Sequence, residues 1–152
     1  MKDDNVSQAG ELPNAPLPLQ TNPPHRILVV EDEIYVAQLN IEVLTRSGYE
    51  VDTVQDGVAA WEALNDDSYD LMITDNNMPK LSGVELLKKL RAARMELPII
   101  MATGALPEQE FARSPWLRPA ATLVKPYTVG ELLRTVKKVL REAESGDSQP
   151  EN

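Results

Sequence analysis

Glu31-Asp32, Asp75, Thr103-Gly104 and Lys125-Pro126 are the residues of this chain whose types could do chemistry together. Neighbouring carboxylates repel unless a cation lies among them, and an oxygen-only donor set with few protein ligands suits Mg²⁺. A carboxylate can act as a nucleophile, while a hydroxyl and an ammonium can contact phosphoryl oxygens, the ammonium as a point charge. Carboxylate, divalent cation, hydroxyl and ammonium are together what transfer of a phosphoryl group to Asp75 requires. Each residue alone has a plainer reading. Glu31-Asp32 could be acids favouring a helix N-terminus, and Asp75 a turn former ahead of Asn76-Asn77 and Met78-Pro79. Lys125 could be a solvated lysine and Thr103 a strand residue with an incidental hydroxyl.

What separates these readings is whether the elements bring the residues to one place. Short apolar, β-rich runs at 27–30, 50–54, 71–74, 97–103 and 122–124 alternate with helix-period segments. Five strands separated by helices predict an α/β fold with a parallel, doubly wound sheet and helices on both faces. In such sheets ligands bind outside the carboxyl ends of the strands. The four candidate groups follow the first, third, fourth and fifth strands. They are therefore expected at one edge.

The first helix, from about Glu33, places Val36, Leu39 and Val43 beside Ala37, Ile41 and Leu44 in one apolar stripe and stops at Gly48. Ser82-Gly-Val-Glu85 and Thr128-Val-Gly-Glu131 match the capping box that satisfies orphan amides at a helix start. Leu86, Leu87 and Leu90, and Leu132, Leu133, Val136 and Leu140, then read as core. Pro107, Pro115 and Pro119 shorten the fourth helix to roughly 107–114, because an interior proline removes a helix hydrogen bond.

Val29-Val-Glu-Asp-Glu33, Ile73-Thr-Asp-Asn-Asn-Met-Pro79, Leu81-Ser-Gly83, Met101-Ala-Thr-Gly104 and Val124-Lys-Pro-Tyr127, in this order, resemble the receiver domain of two-component response regulators. The resemblance covers about 26–143. It implies the flavodoxin-like strand order 2-1-3-4-5, Asp75 as phosphoacceptor, and Glu31 and Asp32 serving Mg²⁺ with Asp75 and the backbone carbonyl of Asn77. It also implies Thr103 as the switch hydroxyl, Lys125 as the phosphate-contacting lysine, a cis Lys125-Pro126 bond, and Gly104 as a small neighbour that would not crowd the phosphate. Partners would be a histidine kinase or histidine phosphotransfer protein upstream and a protein effector downstream. Family members use one face both to dimerise and to dock, and both options stand for this chain.

Two departures qualify the likeness. Thr122 stands where receivers often carry the aromatic that follows the switch threonine, so an irregular segment at 115–121, including Trp116, is expected to replace that switch through its mobility. Trp116 is either a partner anchor or an aromatic packed on the sheet. Ala105 has no side chain able to orient an attacking water, so loss of the phosphoryl group is expected to be slow.

The bulk numbers agree with a small signalling module. The 152 residues suit one domain, and 24 acidic against 15 basic residues give a net charge of −9, which repels nucleic-acid backbones. There are no cysteines, and the lone His25 lies in a proline-rich stretch, which argues against thiol or histidine catalysis. Neither a long apolar run nor an export signal occurs, so no membrane association and a cytoplasmic location are expected. Residues 1–25, rich in proline and polar groups, read as a disordered leader, and 144–152 as a disordered acidic tail. With no output domain in the sequence, the expectation is a stand-alone regulator that signals by binding.

A hydrolase of the haloacid dehalogenase type would need an acid two residues after the nucleophile, where Asn77 stands. Neither a dinucleotide fingerprint nor a P-loop is present. The remaining rival is a receiver-fold interaction module that does not use phosphate.

Overall fold

The computed structural model describes residues 23–145 of the chain. In chain order its elements are β1 Arg26–Val30, α1 Ile34–Arg46, β2 Glu50–Val54, α2 Gly57–Asp66, β3 Leu71–Thr74, α3 Gly83–Ala92, β4 Ile99–Thr103, α4 Glu108–Arg113, a 3₁₀ turn Pro115–Leu117, β5 Ala121–Val124 and α5 Val129–Ser145. The five-stranded sheet is parallel throughout and has the expected order β2-β1-β3-β4-β5.

Alternate residues of the central strands feed two cores, as the period of a strand dictates. Ile27, Val29, Leu71, Ile73, Ile100 and Ala102 pack with α1 and α5; Leu28, Val30, Met72, Ile99 and Met101 pack with α2, α3 and α4. β1, β3 and β4 are thus buried on both faces and read as continuous apolar runs.

Both capping boxes form, with Glu85 N–H donating to Ser82 Oγ at 3.1 Å and Glu131 N–H to Thr128 Oγ1 at 3.0 Å. The first helix closes through Gly48, whose φ of 97° permits the Tyr49 N–H to reach the Leu44 carbonyl at 3.2 Å. Leu86, Leu87, Leu90, Leu132, Val136 and Leu140 are buried as expected.

Several expectations are corrected. Leu39 is 51% exposed, while Asn40 is buried at 2% exposure, because Asn40 lies at helical spacing between Ala37 and Leu44, and its Oδ1 accepts the Tyr127 hydroxyl at 3.1 Å. β4 begins at Ile99 rather than Leu97, since Pro98 has no N–H for the ladder. At the domain edges, α5 runs through Ser145, and His25, assigned to the leader, pairs with Glu144 at 2.5 Å. The rest of the expected leader, 1–22, and of the expected tail, 146–152, lies outside the described residues.

The fourth helix is short, as its prolines dictate, and the chain from Ser114 to Ala120 forms a 3₁₀ turn and irregular backbone. Leu117 of that turn is buried, whereas Trp116 is 60% exposed, so the tryptophan is not packed on the sheet. Arg91 of α3 holds the segment by donating to the carbonyls of Trp116 at 3.2 Å and Arg118 at 3.4 Å. Among the described residues no helix is long and apolar enough to cross a membrane.

Candidate functional site

The parallel register places the ends of β1, β3, β4 and β5 side by side, and with them Glu31, Asp75, Thr103 and Lys125. Glu31 is drawn in by sheet geometry: its N–H continues the ladder to the Val54 carbonyl at 3.0 Å, and the residue is 4% exposed. Asp32, one residue on, is exposed. Asp75 donates its own N–H to the Val30 carbonyl at 3.3 Å and is 8% exposed. Thr103 is fully buried.

Lys125 closes the cluster. Its ammonium donates to Glu31 Oε1 at 2.7 Å and to Asp75 Oδ2 at 2.9 Å, with the side chain 19% exposed. The other oxygen of Asp75, Oδ1, accepts the N–H groups of Asn76 at 2.6 Å and Asn77 at 3.1 Å. The Thr103 hydroxyl accepts the Ala105 N–H at 3.4 Å.

These contacts sort the carboxylates electrostatically. Burial pushes Asp75 up, but the Thr103 hydroxyl, Lys125 and the Asn77 N–H outweigh it and hold the carboxyl below its ordinary value. For Glu31, burial wins over Lys125 and the Glu33 amide, and its carboxyl lies above the ordinary value. Burial lowers Lys125, yet Glu31 and Asp75 more than compensate and keep it protonated well into the alkaline range. Asp75 is therefore an ionised carboxylate held in place by an ammonium.

The donor set fits a hard divalent cation. Oxygens of Glu31, Asp32 and Asp75 lie within 4.8 Å of one another, and three acids against one ammonium leave excess negative charge for a metal to neutralise. Asn77 is exposed beside them and tied to Asp75 through its N–H. The Lys125-Pro126 peptide bond is cis, as the resemblance implies. At Gly104 an added Cβ would meet nothing within 4 Å, so protein packing makes no demand for glycine there.

A family model described as the response regulator receiver domain matches residues 27–137. The chain belongs to that family. Receiver domains are signalling domains of two-component systems; they bind Mg²⁺ at an acidic pocket and interact with histidine kinases or phosphotransfer proteins. This receiver is 36% identical over 121 residues to the alkaline phosphatase synthesis transcriptional regulatory protein PhoP of Bacillus subtilis, covering 78% of this chain and 50% of that protein. It is 32% identical over 127 residues to the CpxR homolog of Haemophilus influenzae, covering 84% and 55% respectively. The receiver thus spans about half the length of the curated relatives it matches. Among solved structures it resembles the response regulator TrrA of Thermotoga maritima in complex with Mg²⁺-BeF, with 36% identity, a TM-score of 0.67 and coverage of 76% and 98%. It also resembles the chemotaxis response regulator CheY4 of Vibrio cholerae, with 30% identity, a TM-score of 0.69 and the same coverages.

Residue-type reasoning missed three participants. Asn40 was hidden as a polar interruption of an apolar stripe. Asp56 caps α2 by accepting the Ala59 N–H at 2.8 Å and pairs with Lys80 at 3.6 Å, in the loop that follows Asp75. Asn76 accepts the Val84 N–H at 2.9 Å through its side chain, which no local spacing rule announces.

Proposed function

We propose that this receiver takes a phosphoryl group on Asp75 from a phosphohistidine of a kinase or phosphotransfer protein and passes the signal on by changing what it binds. The observation that carries this reading is the convergence of Lys125 on Asp75 and Glu31 at hydrogen-bond distance. In the transfer, a carboxylate oxygen of Asp75 forms a new P–O bond as the donor's bond to phosphorus breaks, and the electron pair leaves with the donor group. Glu31, Asp32, Asp75 and the Asn77 carbonyl would hold Mg²⁺, which when bound neutralises charge on the transferring group. Lys125 contributes a positive charge already in hydrogen-bond contact with the Asp75 carboxylate, so little reorganisation is needed.

Once Asp75 carries the phosphoryl group as an acyl phosphate it loses one charged oxygen and gains phosphoryl oxygens, so Lys125 and the Thr103 hydroxyl acquire new acceptors. Their backbones are linked, since Lys125 N–H donates to the Thr103 carbonyl at 3.0 Å, and a shift of one carries the other. That movement selects between arrangements of the α4 and β5 surface and so alters partner affinity. The net charge of −9 supports protein rather than nucleic-acid partners for the receiver itself.

Incubation with Mg²⁺ and acetyl phosphate, followed by intact mass of wild type and Asp75→Asn, tests the central claim. A Mg²⁺-dependent gain of one phosphoryl group on wild type alone supports it. No gain on either overturns it in favour of the phosphate-independent interaction module.

A further inference from the structure

The loop from Asp75 to Ser82 has to hold the acceptor on one side and, on the phosphoacceptor reading, a metal-binding carbonyl at Asn77 on the other. A loop of this length with free ends would place neither. Asn76 supplies the missing constraint. Its N–H donates to Asp75 Oδ1 at 2.6 Å, its carbonyl accepts the Gly83 N–H at 3.1 Å, and its side-chain Oδ1 accepts the Val84 N–H at 2.9 Å.

Those last two amides are the first two orphan donors of α3, and the third, on Glu85, goes to Ser82. Asn76 therefore joins the positive end of a ten-residue helix to the acceptor carboxylate through a single half-buried residue. Close packing permits no slack. A Cβ on Gly83 would lie 2.5 Å from the Asp75 carbonyl oxygen and 2.9 Å from Asn76 Cα, and one on Gly57 would lie 2.4 Å from the Leu81 carbonyl oxygen. The loop is clamped at both ends, and Asn76 is the side chain that sets its register.

We propose that Asn76 is a positioning residue for the acceptor site, fixing the direction of the Asp75 carboxylate and the place of the Asn77 carbonyl by docking on the N-terminal amides of α3. This rests on the phosphoacceptor reading and deepens it.

Asn76→Leu keeps the size and removes the acceptor; Asn76→Asp keeps an acceptor oxygen. Mg²⁺ titration by calorimetry and ¹⁵N amide spectra of Asn77 and Val84, both on unphosphorylated protein, read the effect directly. Asn76→Leu is expected to bind Mg²⁺ about tenfold more weakly, in the range seen when groups behind metal ligands are removed, with both amides shifted. Asn76→Asp is expected to keep the Val84 amide near its wild-type position and to bind Mg²⁺ at least as tightly. Should Asn76→Leu fail to fold, Asn76→Ala removes the same acceptor without a branched side chain, and the same readouts apply. A folded variant lacking the acceptor that binds Mg²⁺ as wild type does, with Asn77 unmoved, would make Asn76 a helix cap only and overturn the inference. Wild type that neither binds Mg²⁺ nor takes a phosphoryl group would instead remove the proposed function and this inference with it.

Discussion

The ammonium of Lys125 and the carboxylate of Asp75 meet at 2.9 Å although 50 residues separate them. Lys125 follows β5 and Asp75 follows β3, with β4 between. Two strand spacings are about 10 Å, so only a long cationic side chain lying over the end of β4 spans them. The same ammonium is the counterion of buried Glu31.

Removing that counterion leaves the carboxylates facing one another. Lys125→Met is expected to destabilise the metal-free protein by about 2 kcal/mol, less than a fully buried pair because the lysine is partly solvated. Mg²⁺ then replaces the lost charge, so its addition should raise the Tm of Lys125→Met by more than that of wild type. Equal Mg²⁺ shifts in thermal scans would refute the account.

Thr103→Val preserves shape and deletes the hydroxyl that helps hold Asp75 below the ordinary carboxylate value. Without that hydroxyl Asp75 should titrate closer to its ordinary value in carboxyl ¹³C spectra. The amide shifts of Gly104 and Lys125 on adding beryllofluoride should shrink in the same variant, and Thr103→Ser should restore both. Unchanged shifts in Thr103→Val would remove Thr103 from the switch.

The 3₁₀ turn separates two adjacent residues energetically. Leu117 is 1% exposed and packs with Phe111, so Leu117→Ala should cost about 2–5 kcal/mol in urea unfolding. Trp116, mostly solvated, should cost about 0.5 kcal/mol or less on truncation. The mobility expected of this segment acts against two hydrogen bonds from Arg91. Arg91→Ala should therefore speed hydrogen exchange of the Leu117 and Arg118 amides, and unchanged exchange would show that the turn is held elsewhere.

At the opposite edge of the sheet, burial and the hydrogen bond from its hydroxyl to Asp52 raise Tyr69 from 10.0 to about 12, with Arg26 working against them. A phenol whose folded pKa is raised contributes stability that is complete below its unfolded value and lost as pH rises through the folded one. Urea midpoints should hold from neutral pH to about 10 and fall toward 12, and Tyr69→Phe should lessen that fall. An identical alkaline profile in both proteins would count against the assignment.

Much of this architecture follows from local rules. Ser82 with Glu85, Thr128 with Glu131, and Gly48 act within a few residues of chain, where backbone amides are satisfied or not regardless of the rest of the fold. Runs such as 27–30 and 71–74 state their own double burial, and Pro107 and Pro115 limit the fourth helix wherever it packs. Strands of that kind, alternating with helices, also dictate that Glu31, Asp75, Thr103 and Lys125 share an edge.

Other features were settled only between distant parts of the chain. Asn40, a polar residue on the inner face of α1, finds its partner only in the Tyr127 hydroxyl, 87 residues away. Asn76 and Asp56 look like ordinary turn and cap residues until α3 and the loop after β3 fold over them. By itself the sequence determined which residue types follow the strands and at which edge they stand, because periods and caps are properties of neighbouring backbone. The tertiary structure decided which oxygen meets which donor, because contacts such as Lys125 to Glu31, 94 residues apart, exist only once the sheet and its two helical layers have closed.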